Sequence, residues 1–172
     1  LHRGKPEMVR ITNGVEPSAE FRAFSTLVLS SRDCQRRRAH ERTVRTFTVV
    51  LGDSIERPQI GWAAIDPIGK SGFKRDPDPQ AKGPGEQDHA FALDGFRGGV
   101  MNRGELLHEV GGQGLVLKVG SVVLCERAES QAGACFRWIV DGELVAEVAS
   151  PQLRTPYSWS PVVAAKGQLR VS

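Results

Sequence analysis

Short β-forming runs separated by glycine and proline constrain this chain more than any other feature. Val44–Leu51 and Cys135–Val140 alternate their side chains between two faces, as strands do. Asp141-Gly142 separates the second run from Glu143–Val148, and Asp-Gly favours a type I′ hairpin turn because both central positions need positive φ. No window of about eleven residues keeps a helical period free of glycine and proline. We therefore expect an all-β chain, an antiparallel two-sheet β-sandwich.

The remaining apolar runs predict further strands. They are Phe24–Ser30, Ile60–Ile65, Leu115–Val119, Val122–Arg127, Tyr157–Ala164 and Gln168–Ser172, with Lys166-Gly167 read as a turn between the last two. In the run before the Asp-Gly turn, Phe136 and Trp138 share one face, which we expect to point inward, with Arg137 toward solvent. Trp62 and Val162 are expected to reach the same core.

The chain of 172 residues has the length of one domain. We expect residues 44–172 to form the sandwich, with residues 1–43 as a basic extension that includes the first strands. Residues 66–87 contain four prolines and four glycines. We interpret this stretch as a long loop, and loops of this length within a domain are usually functional or mobile.

Basic residues are concentrated at the N-terminal end. Residues 1–47 carry ten Lys and Arg against five Asp and Glu, whereas residues 48–172 carry 13 against 15. The domain as a whole is therefore not expected to bind nucleic acid. Arg36, Arg37 and Arg38 form the densest basic patch, which is either a solvated loop or a contact for an acidic protein surface or a nucleic-acid backbone.

No residue pattern indicates chemistry. The sequence has no G-x-S-x-G nucleophile motif and no zinc-type cysteine spacing, so we expect no enzyme, no catalytic residue, no cofactor and no metal. Cys34, Cys125 and Cys135 are an odd number and too few for a disulfide framework, which favours reduced thiols. We expect an intracellular protein, in the cytosol, the nucleus or an organelle after removal of a targeting segment, and no membrane insertion, because the apolar runs are too short.

Several motifs in order resemble the SPRY domain family. They are TFTVV (46–50), IGWAA (60–64), FALDGFRGGVMNRG (91–104), VGSVVLCE (119–126), FRWIVDGELVAEV (136–148) and YSWSPVVAAKGQLRVS (157–172). The resemblance covers about residues 44–172. Ser121 and Asp141 depart from the Asp and Asn usual at those positions of the family, so the chain is identified as a divergent member.

The resemblance implies a concanavalin-like jelly roll that binds a partner polypeptide through loops at one end. The chain would then be a non-catalytic protein–protein interaction module within a scaffold, an adaptor or a multisubunit assembly. Exposed aromatic and arginine side chains are the usual anchors of such surfaces. On that basis the partner-binding residues are predicted to be Phe73, Lys74, Arg75, Phe96, Arg97, Arg103 and Tyr157.

Two other functions stay open at this point. A carbohydrate- or small-ligand-binding sandwich would have aromatic residues clustered in a concave groove. A nucleic-acid-associated domain would bind through the arginine-rich N-terminal segment, with an affinity that falls steeply with salt.

Overall fold

Alternating side chains give the described residues antiparallel strands and almost no helix. The structure is a computed structural model, which describes residues 18–29, 34–39, 42–65, 83–87, 89–110, 115–130, 133–150 and 158–171. In these ranges, eleven strands form one antiparallel sheet that curls into a half-barrel, and a single turn of 3-10 helix spans Pro84–Glu86. The all-β antiparallel prediction is confirmed, and the hydrogen bonds join the strands continuously.

The sheet has two halves that share one long strand. The strands are β1 Ser18–Val28, β2 Gln35–Ala39, β3 Arg42–Leu51, β4 Glu56–Ile65, β5 Ala90–Asp94, β6 Gly99–Asn102, β7 Glu105–Glu109, β8 Val122–Ser130, β9 Gly133–Val140, β10 Glu143–Ser150 and β11 Ser158–Val171. Their order is β10-β9-β8-β3-β11-β4-β5-β6-β7, with β1 paired to β11 and β2 to β3. We call β3, β8, β9 and β10 the β3 half, and β4 to β7 the β4 half.

Strand β11 passes from one half to the other. Its first part pairs with β4, and Leu169–Val171 pairs with β3. Lys166-Gly167, predicted as a turn between two strands, lies inside this strand, so that prediction is wrong. Gly167 has a φ of 107°, and the register shifts between Ala164 and Lys166, so the backbone bends there without reversing.

The inner face of the curled sheet holds the main core. Phe47 from β3 packs edge-to-face on Trp62 from β4, with ring centroids 5.1 Å apart. Trp138 is fully buried, and its indole Nε1 donates to the carbonyl oxygen of Ile60 at 2.8 Å. These contacts join the two halves across the interior, and the second joins strands that are distant in sequence.

The predicted inward and outward side chains agree with the structure on β9 but not on β11. Phe136 and Trp138 are buried and Arg137 is partly exposed, as predicted. Val162 was expected in the core with Trp62; it lies instead in a separate small cluster with Ala63 and Ala90. Its register partner is Gly61, and Trp62 is one residue further along β4, so Val162 and Trp62 point to opposite faces.

The Leu115–Val119 run is not a strand, contrary to prediction. Residues 115–118 are irregular and lead into a turn at 119–120. The Ser121 hydroxyl accepts from the Lys118 backbone N–H at 3.1 Å, and Gly120 donates to the Leu51 carbonyl at 2.7 Å. The backbone of this segment is therefore satisfied by a turn and by the end of β3.

Candidate functional site

The turn between β5 and β6 is built on a buried carboxylate. Asp94, the last residue of β5, is almost fully buried, which requires its oxygens to be hydrogen-bonded. Its Oδ1 accepts from the backbone N–H groups of Phe96 at 2.8 Å and Arg97 at 2.9 Å. Its Oδ2 accepts from Gln59 Nε2 at 2.9 Å and from the Arg97 guanidinium at 3.1 Å. The turn is therefore held in one conformation.

A closed ring of hydrogen bonds extends this anchor to the 3-10 helix. Arg97 also donates to Glu86 Oε1 at 2.8 Å, and Gln59 Oε1 accepts from the Gly85 N–H at 3.0 Å. Glu86 and Asp94 both raise the pKa of the Arg97 guanidinium, the hydrogen bond to Glu86 being the largest cause. Residues 83–87, the end of the predicted long loop, are thus joined to the 94–98 turn.

Phe96 stands at the tip of this anchored turn. Its side chain is 73% exposed, although large aromatic residues are normally buried. The Arg57 guanidinium lies over the ring, 5.5 Å from its centroid, which is within cation–π range. We call the exposed group of Phe96 and Arg57, with its support from Asp94, Arg97 and Glu86, the Phe96 site.

Of the other predicted partner-binding residues, only Arg103 lies within the described residues and outside the Phe96 site. Phe73, Lys74, Arg75 and Tyr157 lie outside the described residues. Arg103 is exposed in the β6–β7 turn with a φ of 56°, and its backbone N–H donates to the Gln87 carbonyl at 3.4 Å. The structure thus brings residues 83–87 close to both Phe96 and Arg103.

The β8–β9 tip, where Ser130 pairs with Gly133, lies far from the Phe96 site. Thr43, near the start of β3, pairs with Glu129 beside that tip. β3 then runs to Leu51, and a short turn leads to the start of β4, where Gln59 pairs with Asp94. The tip and the Phe96 site therefore occupy opposite ends of the sheet.

The basic patch lies on strand β2. One of its two interpretations from the sequence, a solvated loop, is therefore wrong. Arg36 and Arg37 are exposed on β2, and the side chain of Arg38 lies outside the described residues. The Arg37 guanidinium lies 3.4 Å from the Glu126 carboxylate on the outer face. On that face Glu126 stands opposite Arg137, which pairs with Glu147, so charges alternate across neighbouring strands.

Sequence reasoning missed a buried arginine. Arg127 on β8 is 5% exposed and pairs with Glu129, and its Cζ lies 5.9 Å from the Trp159 ring centroid. From the sequence, Arg127 was the polar last residue of the predicted strand Val122–Arg127. The one available signal was the alternation itself, because Arg127 shares its face with Val123 and Cys125.

The thiols do not form a site together. Cys125 and Cys135 lie on the paired strands β8 and β9 but on opposite faces. Cys125 is buried with the core, whereas Cys135 alternates with the buried Phe136 and so faces outward. Burial raises the pKa of the Cys125 thiol well above its ordinary value, which keeps it protonated and weakly nucleophilic.

Neither a metal site nor a membrane span is found in the described residues. There, no group of three or more His, Cys, Asp and Glu side chains could hold a metal ion, and no helix is long and apolar enough to cross a membrane. Comparison with known proteins finds no protein-family model and no curated protein that matches the chain.

Proposed function

We propose that this chain is a non-catalytic protein-interaction module, a divergent SPRY-like β-sandwich that binds a partner polypeptide at the ends of its strands. The order of the sequence motifs supports the family, and the packing of the β3 half against the β4 half supports a sandwich. The aromatic side chains of Trp62, Trp138 and Trp159 are buried in the core. They do not line an open groove, which argues against the carbohydrate-binding alternative.

The Phe96 site is the observation that carries this proposal. An aromatic ring on a turn held by a buried carboxylate loses little conformational entropy when a partner covers it. Aromatic and arginine side chains dominate the binding energy of protein interfaces, and the site presents one of each. Phe96 therefore makes the main contact in the proposed interface, and Arg97 has a positioning role because its guanidinium already binds Asp94 and Glu86.

Affinity capture with the 172-residue chain tests this proposal. We expect Phe96→Ala to lose specific partners at unchanged stability, since the side chain is mostly exposed. Leu144→Ala is the matched control, because Leu144 is a 58% exposed apolar side chain on β10, away from the turn. Identical partners captured by the unsubstituted chain and by Phe96→Ala would show that this surface is not the interface.

A further inference from the structure

Three arginines stand directly opposite one another on neighbouring strands. Arg36 of β2 pairs in register with Arg45 of β3, and Arg45 pairs with Arg127 of β8. Residues directly opposite in adjacent strands project from the same face, and the strands lie about 4.8 Å apart. Arg45 alternates in phase with the buried Phe47, so the face is the inner one. We call Arg36, Arg45 and Arg127 the arginine row.

The row runs from solvent into the end of the core. Arg36 is exposed, Arg45 is half-buried and Arg127 is buried against the Trp159 ring. An extended group lying along the row would therefore meet the exposed cation of Arg36 first and the half-buried cation of Arg45 next. Charge-assisted hydrogen bonds are strongest at the desolvated end.

The row has more positive charges and more hydrogen-bond donors than there are carboxylates and acceptors to pair with them. Like charges directly opposite in a sheet are destabilising, yet Glu129 is the one carboxylate that pairs with the row in the described part of the chain. Arg127 Nε and Trp159 Nε1 are both buried donors that have no acceptor. The pKa of Arg127 is lowered to about 10, mainly by burial. The charge of Arg45 also lowers this pKa, whereas Glu129 raises it.

We propose that the arginine row binds carboxylate side chains from an acidic segment of a partner protein. This deepens the proposed function and rests on it, and it adds a second contact region at the opposite end of the sheet from Phe96. The planar guanidinium fork matches a carboxylate, and carboxylates bound to the accessible Arg36 and Arg45 would compensate the surplus charge of the row.

A carboxylate partner fits the surroundings better than a nucleic acid. Residues 31–45 contain no Phe, Tyr or Trp on which a base could stack. Residues 48–172 carry a net negative charge, and Glu129 and the outer-face Glu126 flank the row. These carboxylates would repel a continuous phosphate backbone more than isolated carboxylate side chains.

Binding of a labelled oligo-glutamate peptide to the full chain, followed by fluorescence anisotropy, tests the proposal. We expect Arg45→Gln to weaken binding roughly five- to tenfold and Arg36→Gln roughly two- to fivefold, from the usual worth of such ion pairs. Arg37→Gln is the matched control: it removes the same charge from the adjacent residue of the same strand, but on the outer face. It should change binding by less than about twofold.

Three outcomes would overturn the proposal. They are undetectable binding of the peptide to the unsubstituted chain, an equal loss in Arg36→Gln and Arg37→Gln, and tighter binding of a length-matched single-stranded oligonucleotide than of the peptide. None of these outcomes bears on the role of Phe96. Partner capture that still depends on Phe96 would therefore leave the proposed function intact. Conversely, Phe96→Ala should leave peptide binding unchanged, which separates the two contact regions.

Discussion

At the scale of single residues, Trp138 contributes both apolar burial and a hydrogen bond that joins the two halves. We expect Trp138→Ala to lower the free energy of unfolding by about 3–5 kcal/mol, and Trp138→Phe by about 1–2 kcal/mol, because the Ile60 carbonyl loses its donor. Urea denaturation measures both. Arg137→Ala, on the exposed side of the same strand, should cost less than about 1 kcal/mol. A loss in Arg137→Ala as large as that in Trp138→Ala would contradict the register.

The charged form of Arg127 should lower the free energy of unfolding. Its pKa is lowered to about 10 in the fold, so the folded state disfavours the cation at every pH below that value. Above about pH 10 the folded chain releases this proton before the unfolded chain does, and the cost shrinks as pH rises. We expect Arg127→Met to raise the free energy of unfolding at pH 7 by about 1–2 kcal/mol, with the gain shrinking above pH 10.

Urea unfolding between pH 7 and pH 11 measures this effect. Arg137→Met is its control, because the hydrogen bond to Glu147 raises the pKa of Arg137, and that variant should show no gain at any pH. An Arg127→Met variant less stable than the unsubstituted chain at pH 7 would mean that the Glu129 and Trp159 contacts outweigh burial.

The sequence predicts residues on the apolar face of a strand better than it predicts buried charge. Phe136 and Trp138 were placed inward because their alternation flanks an Asp-Gly turn. Arg127 was not, because alternation puts it on the apolar face of β8 but does not show whether a long arginine side chain at the strand end stays buried or reaches solvent. The Asp94 anchor was also missed, since Gln59, which donates to Asp94, and Glu86, which accepts from Arg97, come from other elements.

At the scale of elements, two glycines are required for different reasons. A Cβ at Gly61 in β4 would lie 1.9 Å from the Phe91 carbonyl oxygen of β5, so Gly61→Ala must separate two paired strands. Gly142 has a φ of 91° and open space around it, so Gly142→Ala meets only conformational strain. We expect a loss of about 1 kcal/mol for Gly142→Ala and of more than about 3 kcal/mol for Gly61→Ala.

Thermal unfolding of the two variants gives this comparison. Similar melting temperatures for both would mean that β4 and β5 can separate at little cost, which the backbone contact argues against.

The predicted strands were those with an apolar face. The β8–β9–β10 ribbon was predicted because each run alternates and a recognisable turn lies between two of them. β2 was missed because its sequence, Gln35 to Ala39, is arginine-rich and has no apolar alternation. The bend in β11 was read as a turn, because Gly167 indicates positive φ but not whether the chain reverses. The registers that align Arg36, Arg45 and Arg127 depend on long-range pairing, which local sequence does not encode.

At the scale of the whole molecule, β11 should make the two halves unfold together. Leu169 is buried in the part of β11 that pairs with both β1 and β3. We expect Leu169→Ala to lower the free energy of unfolding by about 2–4 kcal/mol while preserving one transition. Far-UV circular dichroism and tryptophan fluorescence should then give coincident curves. Arg170→Ala is the exposed control, and separate transitions in Leu169→Ala would show that the halves are independent.

The pairing of β1 with β11 has a consequence for chain connectivity. Ser18 stands opposite Arg170, so the strand that opens the described part of the chain and the strand that closes it run side by side in opposite directions. A short linker from residue 171 back to residue 18 would bridge adjacent strand ends. A circularly permuted chain cut at the Asp141–Gly142 turn would therefore retain all the strand pairings described for this sheet.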